Sequence, residues 1–253
     1  MNRKIMTLAI IFLLNIILEF SSGLLAQTPT GDEILEQIDK NMSSSTQILT
    51  SKMVIHSRRG SRTVVSRSWS EGEAKTFSEY LSPVREKGTK MLKLEDKLWI
   101  YSPSADRIIR ISGHMLRQSV MGSDLSYEDM MEDSRLRNKY RAVVETSEII
   151  DDRECWIVEL TATTNDVAYY KMKLWVDKER WVPLKEELFA KSGKLLKKLE
   201  LKDITNIKGR WFPKKMIFKD MLKKGKGTEF IIEEIEFDKE IPSHIFSKAS
   251  LRK

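Results

Sequence analysis

The sequence is short of the residues on which most enzymes and metal proteins depend. Its 253 residues include one cysteine, Cys155, which excludes an internal disulfide framework and any cysteine-rich zinc or iron–sulfur site. The three histidines, His56, His114 and His244, are far apart, so no HExxH-type ligand spacing exists. A G-x-S-x-G elbow, a phosphate-cradling glycine loop and Cys-pair motifs are all missing. Gly225-Lys226-Gly227 joins two candidate strands rather than opening a helix. Neither a metal nor a cofactor is therefore expected. With 32% of residues charged, a multi-span membrane protein is excluded. Six Trp, nine Phe and six Tyr exclude a disordered chain.

The N-terminus carries the longest apolar run. Arg3 and Lys4 form a basic start, and Ile5 to Leu18 is apolar apart from Thr7 and Asn15. Gly23-Leu24-Leu25-Ala26 then offers a small residue at a cleavage point, so residues 1–26 read as a secretory signal peptide. Asn15 and Glu19 interrupt the run that a spanning helix of roughly 20 apolar residues needs; an uncleaved anchor is the alternative. No Cys follows Ala26 to accept a lipid. The expectation is an exported, soluble protein of one domain, residues 27–253.

Removing residues 1–26 takes away Arg3, Lys4 and Glu19 and leaves a net charge of +6. Bases and acids interleave, as in Lys185-Glu186-Glu187, which with export argues against a nucleic-acid partner. The densest basic runs, Lys197-Lys198 and Lys223-Lys224-Gly225-Lys226, read as solvated faces or edge protection. An anionic membrane surface is the weaker alternative for them.

Thr30 and Glu33 form a T-x-x-E capping box, and Ile34, Leu35, Ile38 and Met42 put one apolar stripe on a short helix. From there the pattern has period two. Candidate strands are 47–57, 62–69, 74–81, 88–94, 98–101 and 107–111, then, after an interruption at 113–138, 140–149, 155–163, 169–176, 183–189, 195–204, 211–221 and 229–237. Trp156, Val158 and Leu160 alternate with Glu159 and Thr161, as in an antiparallel sheet wet on one side. So many strands with short connections imply a meander that curls. Two short helical pieces, 31–42 and part of 113–134, cannot fill such a concavity, which hints at a cavity.

Residues 99–111 read W-I-Y-x-P-x-x-x-R-I-x-R-I, and residues 121–129 read M-G-S-D-x-S-Y-E-D. This pairing resembles the LolA-like outer-membrane lipoprotein-sorting proteins, over about residues 30–250. The resemblance implies a mainly β fold with a few helices. Its large curved antiparallel meander would form an open, half-closed β-barrel, with helices lidding an apolar concave face. It implies a non-enzymatic periplasmic carrier for lipoprotein acyl chains or a related lipid. An inner-membrane transporter would be the donor and an outer-membrane component the acceptor.

The residues can be weighed on their own terms. Met115, Met121, Met130 and Met131, with Leu116, Val120 and Leu125, suit a lid that re-packs around apolar cargo, or equally an ordinary lid core. Trp99, Tyr101, Ile109 and Ile111 on the preceding strands form wall or core by the same logic. Ser126 and Asp129 make an S-x-x-D cap, and Asp124 is a further capping candidate. A glycosidase-type carboxylate pair is disfavoured, because adjacent Glu128 and Asp129 point about 100° apart on a helix. Cys155 has no histidine base assigned by any pattern and reads as a buried bystander. A second function class is a periplasmic sensor of RseB-like type that binds a regulatory protein. Such proteins usually carry an additional C-terminal domain, and this sequence stops shortly after Phe246.

Overall fold

A computed structural model describes residues 28–57, 60–132 and 135–252; the expected signal segment, 1–26, lies outside the described residues. The first helix, α1 (Gly31–Met42), begins at the expected box. Glu33 N donates to Thr30 Oγ1 at 3.2 Å, and Thr30 N donates to Glu33 Oε2 at 2.7 Å. Its apolar stripe, Ile34, Leu35 and Ile38, is buried, and Ser43 closes the helix by donating its N–H to Asp39 O.

All thirteen period-two segments form strands, each within three residues of its expected ends. They are β1 (Thr46–Ser57), β2 (Gly60–Glu71), β3 (Lys75–Ser82), β4 (Lys90–Leu94), β5 (Lys97–Ser102) and β6 (Arg107–Ile111). The short helix α2 (Tyr127–Met131) interrupts the series. Then follow β7 (Tyr140–Ile150), β8 (Arg153–Ala162), β9 (Lys171–Asp177), β10 (Pro183–Phe189), β11 (Leu195–Ile207), β12 (Arg210–Asp220) and β13 (Thr228–Phe237).

These strands make one sheet in the order β6-β5-β4-β3-β2-β1-β13-β12-β11-β10-β9-β8-β7. The path is therefore two meanders joined back to back rather than one. β1 and β13 pair at the centre, with Met53 opposite Phe230 and Val54 opposite Glu229. The consecutive strands β6 and β7 end up on opposite edges. Every neighbouring pair is antiparallel, so the two edges run in the same direction. An antiparallel seam cannot close them, and the curved sheet stays an open half-barrel. Residues 112–132 and 135–139 lie across the gap.

Apolar side chains cover both faces. On the concave side, α1 packs on Tyr140, Trp156, Val158, Leu160, Met172, Leu174 and Leu188 of the second arm. The connection from β6 to α2 packs on Met53, Ile55, Val64, Tyr80, Met91, Leu98 and Ile111 of the first. The convex face is drier than the alternation suggests. On the first arm the C-terminal segment lays Ile241, Phe246 and Leu251 over Phe77, Leu92 and Trp99. On the second, Cys155 and Ile157 are buried with Trp175 and Leu184, where a wet face was expected. Trp175 explains the difference: its ring spreads over that surface and carries the Lys173 and Lys185 ammonium groups at 5.3 and 3.9 Å from its centroid. The Cys155 thiol is pushed up to about 11, first by burial and then by the Asp177 carboxylate, which makes it a poor nucleophile.

Candidate ligand-binding site

The gap-crossing segment runs through short 3-10 turns at Gly113–Arg117 and Val120–Gly122, then α2, then a 3-10 turn at Leu136–Asn138. Ser126 caps α2 as expected: Asp129 N donates to Ser126 Oγ at 3.2 Å and Ser126 N donates to Asp129 Oδ2 at 2.6 Å. Asp124 does not cap. It is buried, accepting from Thr228 Oγ1 at 2.8 Å and Asp220 N at 3.0 Å, and so ties the lid to β12 and β13.

The lid is held from both arms. From the first arm, Arg62 donates to Met121 O and Lys93 Nζ to Met131 O at 3.0 Å. From the second, Lys197 and the Tyr169 hydroxyl both reach the Asp129 carboxylate. Burial, and then the charge on Asp129, hold the Tyr169 phenol far above the ordinary range, so it stays a donor. Ala168 N donates to Glu132 Oε1 at 2.7 Å. Lys197 is accordingly buried, not the solvated residue expected from its basic run; Lys198 beside it is the outward one, paired with Glu187 at 2.9 Å.

Beneath the lid the sheet is not filled. A cavity of about 330 Å³ lies against the second arm, within the range of roughly 300–1,000 Å³ usual for small-molecule sites. Its walls are Ile38 and Met42 of α1 with Tyr140, Met172, Leu188, Leu199, Met216 and Phe218 of the strands. A second hollow of about 240 Å³ runs between Met42, Met130 and Phe212 toward Ser70 and Thr76. A small pocket of about 60 Å³ sits under Val120, Leu125 and Met130. Met42 and Glu132 border both large hollows, and Met130 separates the second from the third. A polar mouth of about 500 Å³, with Glu73, Glu95, Glu128, Arg135 and Lys139, opens beside Leu116 and Met131.

One group in the large cavity stands out. Glu186 on β10 faces the hollow, half-buried, with no hydrogen-bond or ion-pair partner among the described residues. Burial alone raises its carboxyl to about 7. Burial also raises Glu128, with Glu132 and Asp129 pushing the same way and Arg117 opposing them. Among the described residues no three His, Cys, Asp or Glu side chains converge as a metal site.

The residues singled out from sequence divide by position. Met115, Leu116, Met121, Leu125, Met130 and Met131 pack on the first arm's concave face, where Ile111 is buried among them. Ile109 shares the parity of Ile111 but is 45% exposed. Trp99 and Tyr101 lie on the opposite face, under the C-terminal segment, since alternation along β5 turns Leu98 and Ile100 inward instead. The second-arm cavity was missed. Its signal was present in Lys197 and Glu186, which share strand parity with Leu199 and Leu188 and so had to point inward.

A family model described as "Uncharacterized protein"-like matches residues 72–253. No curated protein matches the chain. Among solved structures, a putative outer membrane lipoprotein-sorting protein domain from Vibrio parahaemolyticus is 26% identical, with a TM-score of 0.76 over 88% of this chain and 98% of that one. A LolA superfamily protein from Nitrosomonas europaea is also 26% identical, with a TM-score of 0.73 over 88% of this chain and 100% of that one. The chain belongs to the family of that model, and it is LolA-like in fold. The same LolA-like fold recurs in a DUF1329 family protein from Desulfovibrio piger, 23% identical with a TM-score of 0.79 over 87% of this chain and 97% of that one. No helix among the described residues is long and apolar enough to cross a membrane.

Proposed function

We propose that this LolA-like protein is a periplasmic carrier that takes the acyl chains of a lipoprotein, or of a related lipid, into the hollow under its lid. It would receive them from an inner-membrane transporter and deliver them toward the outer membrane. The observation that carries the reading is the partly empty, apolar concave face roofed by a methionine-bearing segment. Met42, Met130, Met172 and Met216 all border the hollows, and unbranched thioether side chains re-pack at low cost.

The energetics suit reversible loading. A 14- to 16-carbon chain offers roughly 11–13 kcal/mol of gross burial, at about 0.8 kcal/mol per methylene. Against it stand the lid's polar ties, the buried Asp129–Lys197 pair among them. Cargo that fills the hollow can displace the lid, and loss of part of that burial lets the lid return. The carboxylates near the lid support binding rather than catalysis, because Asp129 is fully engaged by Ser126, Tyr169 and Lys197.

The test is uptake. Delipidated protein is incubated with a di-acylated peptide and with its unacylated counterpart, and bound species are read by native mass spectrometry. Stoichiometric retention of the acylated form alone is expected. A protein that retains neither, and that co-purifies with no apolar molecule, is not a carrier.

A further inference from the structure

We propose that one end of the sheet is a docking surface for an anionic lipid bilayer, a role separate from the cavity and its cargo. Because all pairings are antiparallel, the turns β3–β4 and β12–β13 and the adjoining ends of β1 and β2 fall side by side at that end. Contacts join them: His56 N donates to Gly227 O at 3.2 Å, and Arg62 Nη1 lies 3.6 Å from Glu86 Oε1.

The β12–β13 turn reads Met221-Leu222-Lys223-Lys224-Gly225-Lys226, and every one of these residues is exposed. Leu222 is 61% exposed. The β3–β4 turn presents Val84, 91% exposed, beside exposed Arg85 and Lys87. Val84, Met221 and Leu222 are among the few large apolar side chains exposed among the described residues, and basic residues lie close to each of them in sequence. The local acids are spent: Glu86 faces Arg62 and Arg85, while Asp220 accepts from Leu222 N and lies 3.5 Å from Lys223. Lys87, Lys224 and Lys226 have no ion-pair partner among the described residues.

The shape selects the occupant. A protein interface wants a continuous patch of about 800 Å² per partner, whereas these apolar groups sit on separate projecting tips. Tips at one end meet a plane. Aliphatic side chains enter the boundary between headgroups and acyl chains, and lysine ammonium groups remain with the phosphates. Lys223 also reaches the lid, at Ser119 Oγ and at Ser123 O, 2.6 Å away, so this end lies next to the segment that covers the hollow.

The experiment is flotation of the full chain with vesicles of phosphatidylcholine alone or of equimolar phosphatidylcholine and phosphatidylglycerol, at low and high salt. Binding to the anionic vesicles alone is expected, weakened by salt. Lys224→Gln with Lys226→Gln should reduce partitioning about twenty-five-fold, at roughly fivefold per lysine near an anionic surface. Met221→Ser with Leu222→Ser should also weaken it. Lys208→Gln with Lys239→Gln removes the same charge at the other end and should leave partitioning unchanged. All six positions are exposed, so unchanged melting curves verify the fold. The proposal is overturned by an absence of vesicle binding or by equal losses in the control pair. It is equally overturned if the tips instead mediate a dimer that Leu222→Ser dissolves. Because acyl uptake is read separately, either reading can fail without the other.

Discussion

Glu186 offers the most direct test of the cavity, because its carboxyl faces an apolar hollow with no partner to stabilise its charge. Its pKa in the folded protein is raised by burial from 4.5 to about 7. Between those two values the native state holds a proton that the unfolded chain has released, so stability falls as pH rises through that window and is flat above it. At about 1.36 kcal/mol for each tenfold change in proton affinity, the ionised form costs the fold roughly 3 kcal/mol. Glu186→Gln keeps the shape and resembles the protonated acid. The variant should match the parent near pH 4 and exceed it by roughly 3 kcal/mol at pH 8, or by about 6–12 °C in melting temperature for a chain of this size. Other groups titrate over the same range, but they do so in both proteins. The difference between the two melting profiles isolates position 186. Parallel profiles from pH 4 to pH 8.5 would refute the desolvated, unpartnered carboxyl.

Three further outcomes follow from the contacts. Lys197→Met leaves Asp129 without its cation and should lower the cost of lid opening by about 3 kcal/mol; hydrogen exchange should quicken at residues 126–132 while amides of β1 and β13 keep their protection. Gly31→Ala should destabilise by about 1–3 kcal/mol despite alanine's helix preference, because its Cβ would lie 2.3 Å from Ala142 O, where α1 meets β7; an unchanged melting temperature would contradict the close approach. Met130→Ala removes the side chain shared by two hollows. Because the side chain is only half-buried, it should cost about 1–2 kcal/mol yet increase the uptake of a fluorescent fatty acid, and loss of stability with unaltered uptake would count against a connected cavity.

Local structure was legible in the sequence because period and capping are short-range signals. Thr30 with Glu33 and Ser126 with Asp129 each require only three residues of spacing, and both boxes form. Strand alternation likewise located all thirteen strands. What escaped was anything set by partners distant in sequence. Asp124 reads as a cap until Thr228, more than a hundred residues away, claims its carboxylate. Trp99 and Tyr101 read as cavity wall or core because alternation assigns two faces without saying which is inside. That choice is made by Ile241, Phe246 and Leu251 at the other end of the chain. Lys197 was hidden by its neighbour, since a Lys-Lys pair in a strand sends one residue to each face.

The placement of the lid follows from strand count and direction rather than from the lid's own sequence. Thirteen strands paired antiparallel throughout leave the first and last strands of the sheet parallel, and two parallel edges cannot be joined by a tight hairpin. Because β1 and β13 pair at the centre, those edges are β6 and β7, which are consecutive in the chain. The connection between them therefore has to cross the opening, from one rim to the other. Its length, residues 112–139, is what allows it to carry α2 and the methionines over the hollow on the way. In the proposed carrier role, a segment tethered at both rims would lift without leaving, against its polar ties to Arg62, Lys93, Lys197 and Thr228. The same topology that keeps the barrel from closing thus supplies the cover for the space left open.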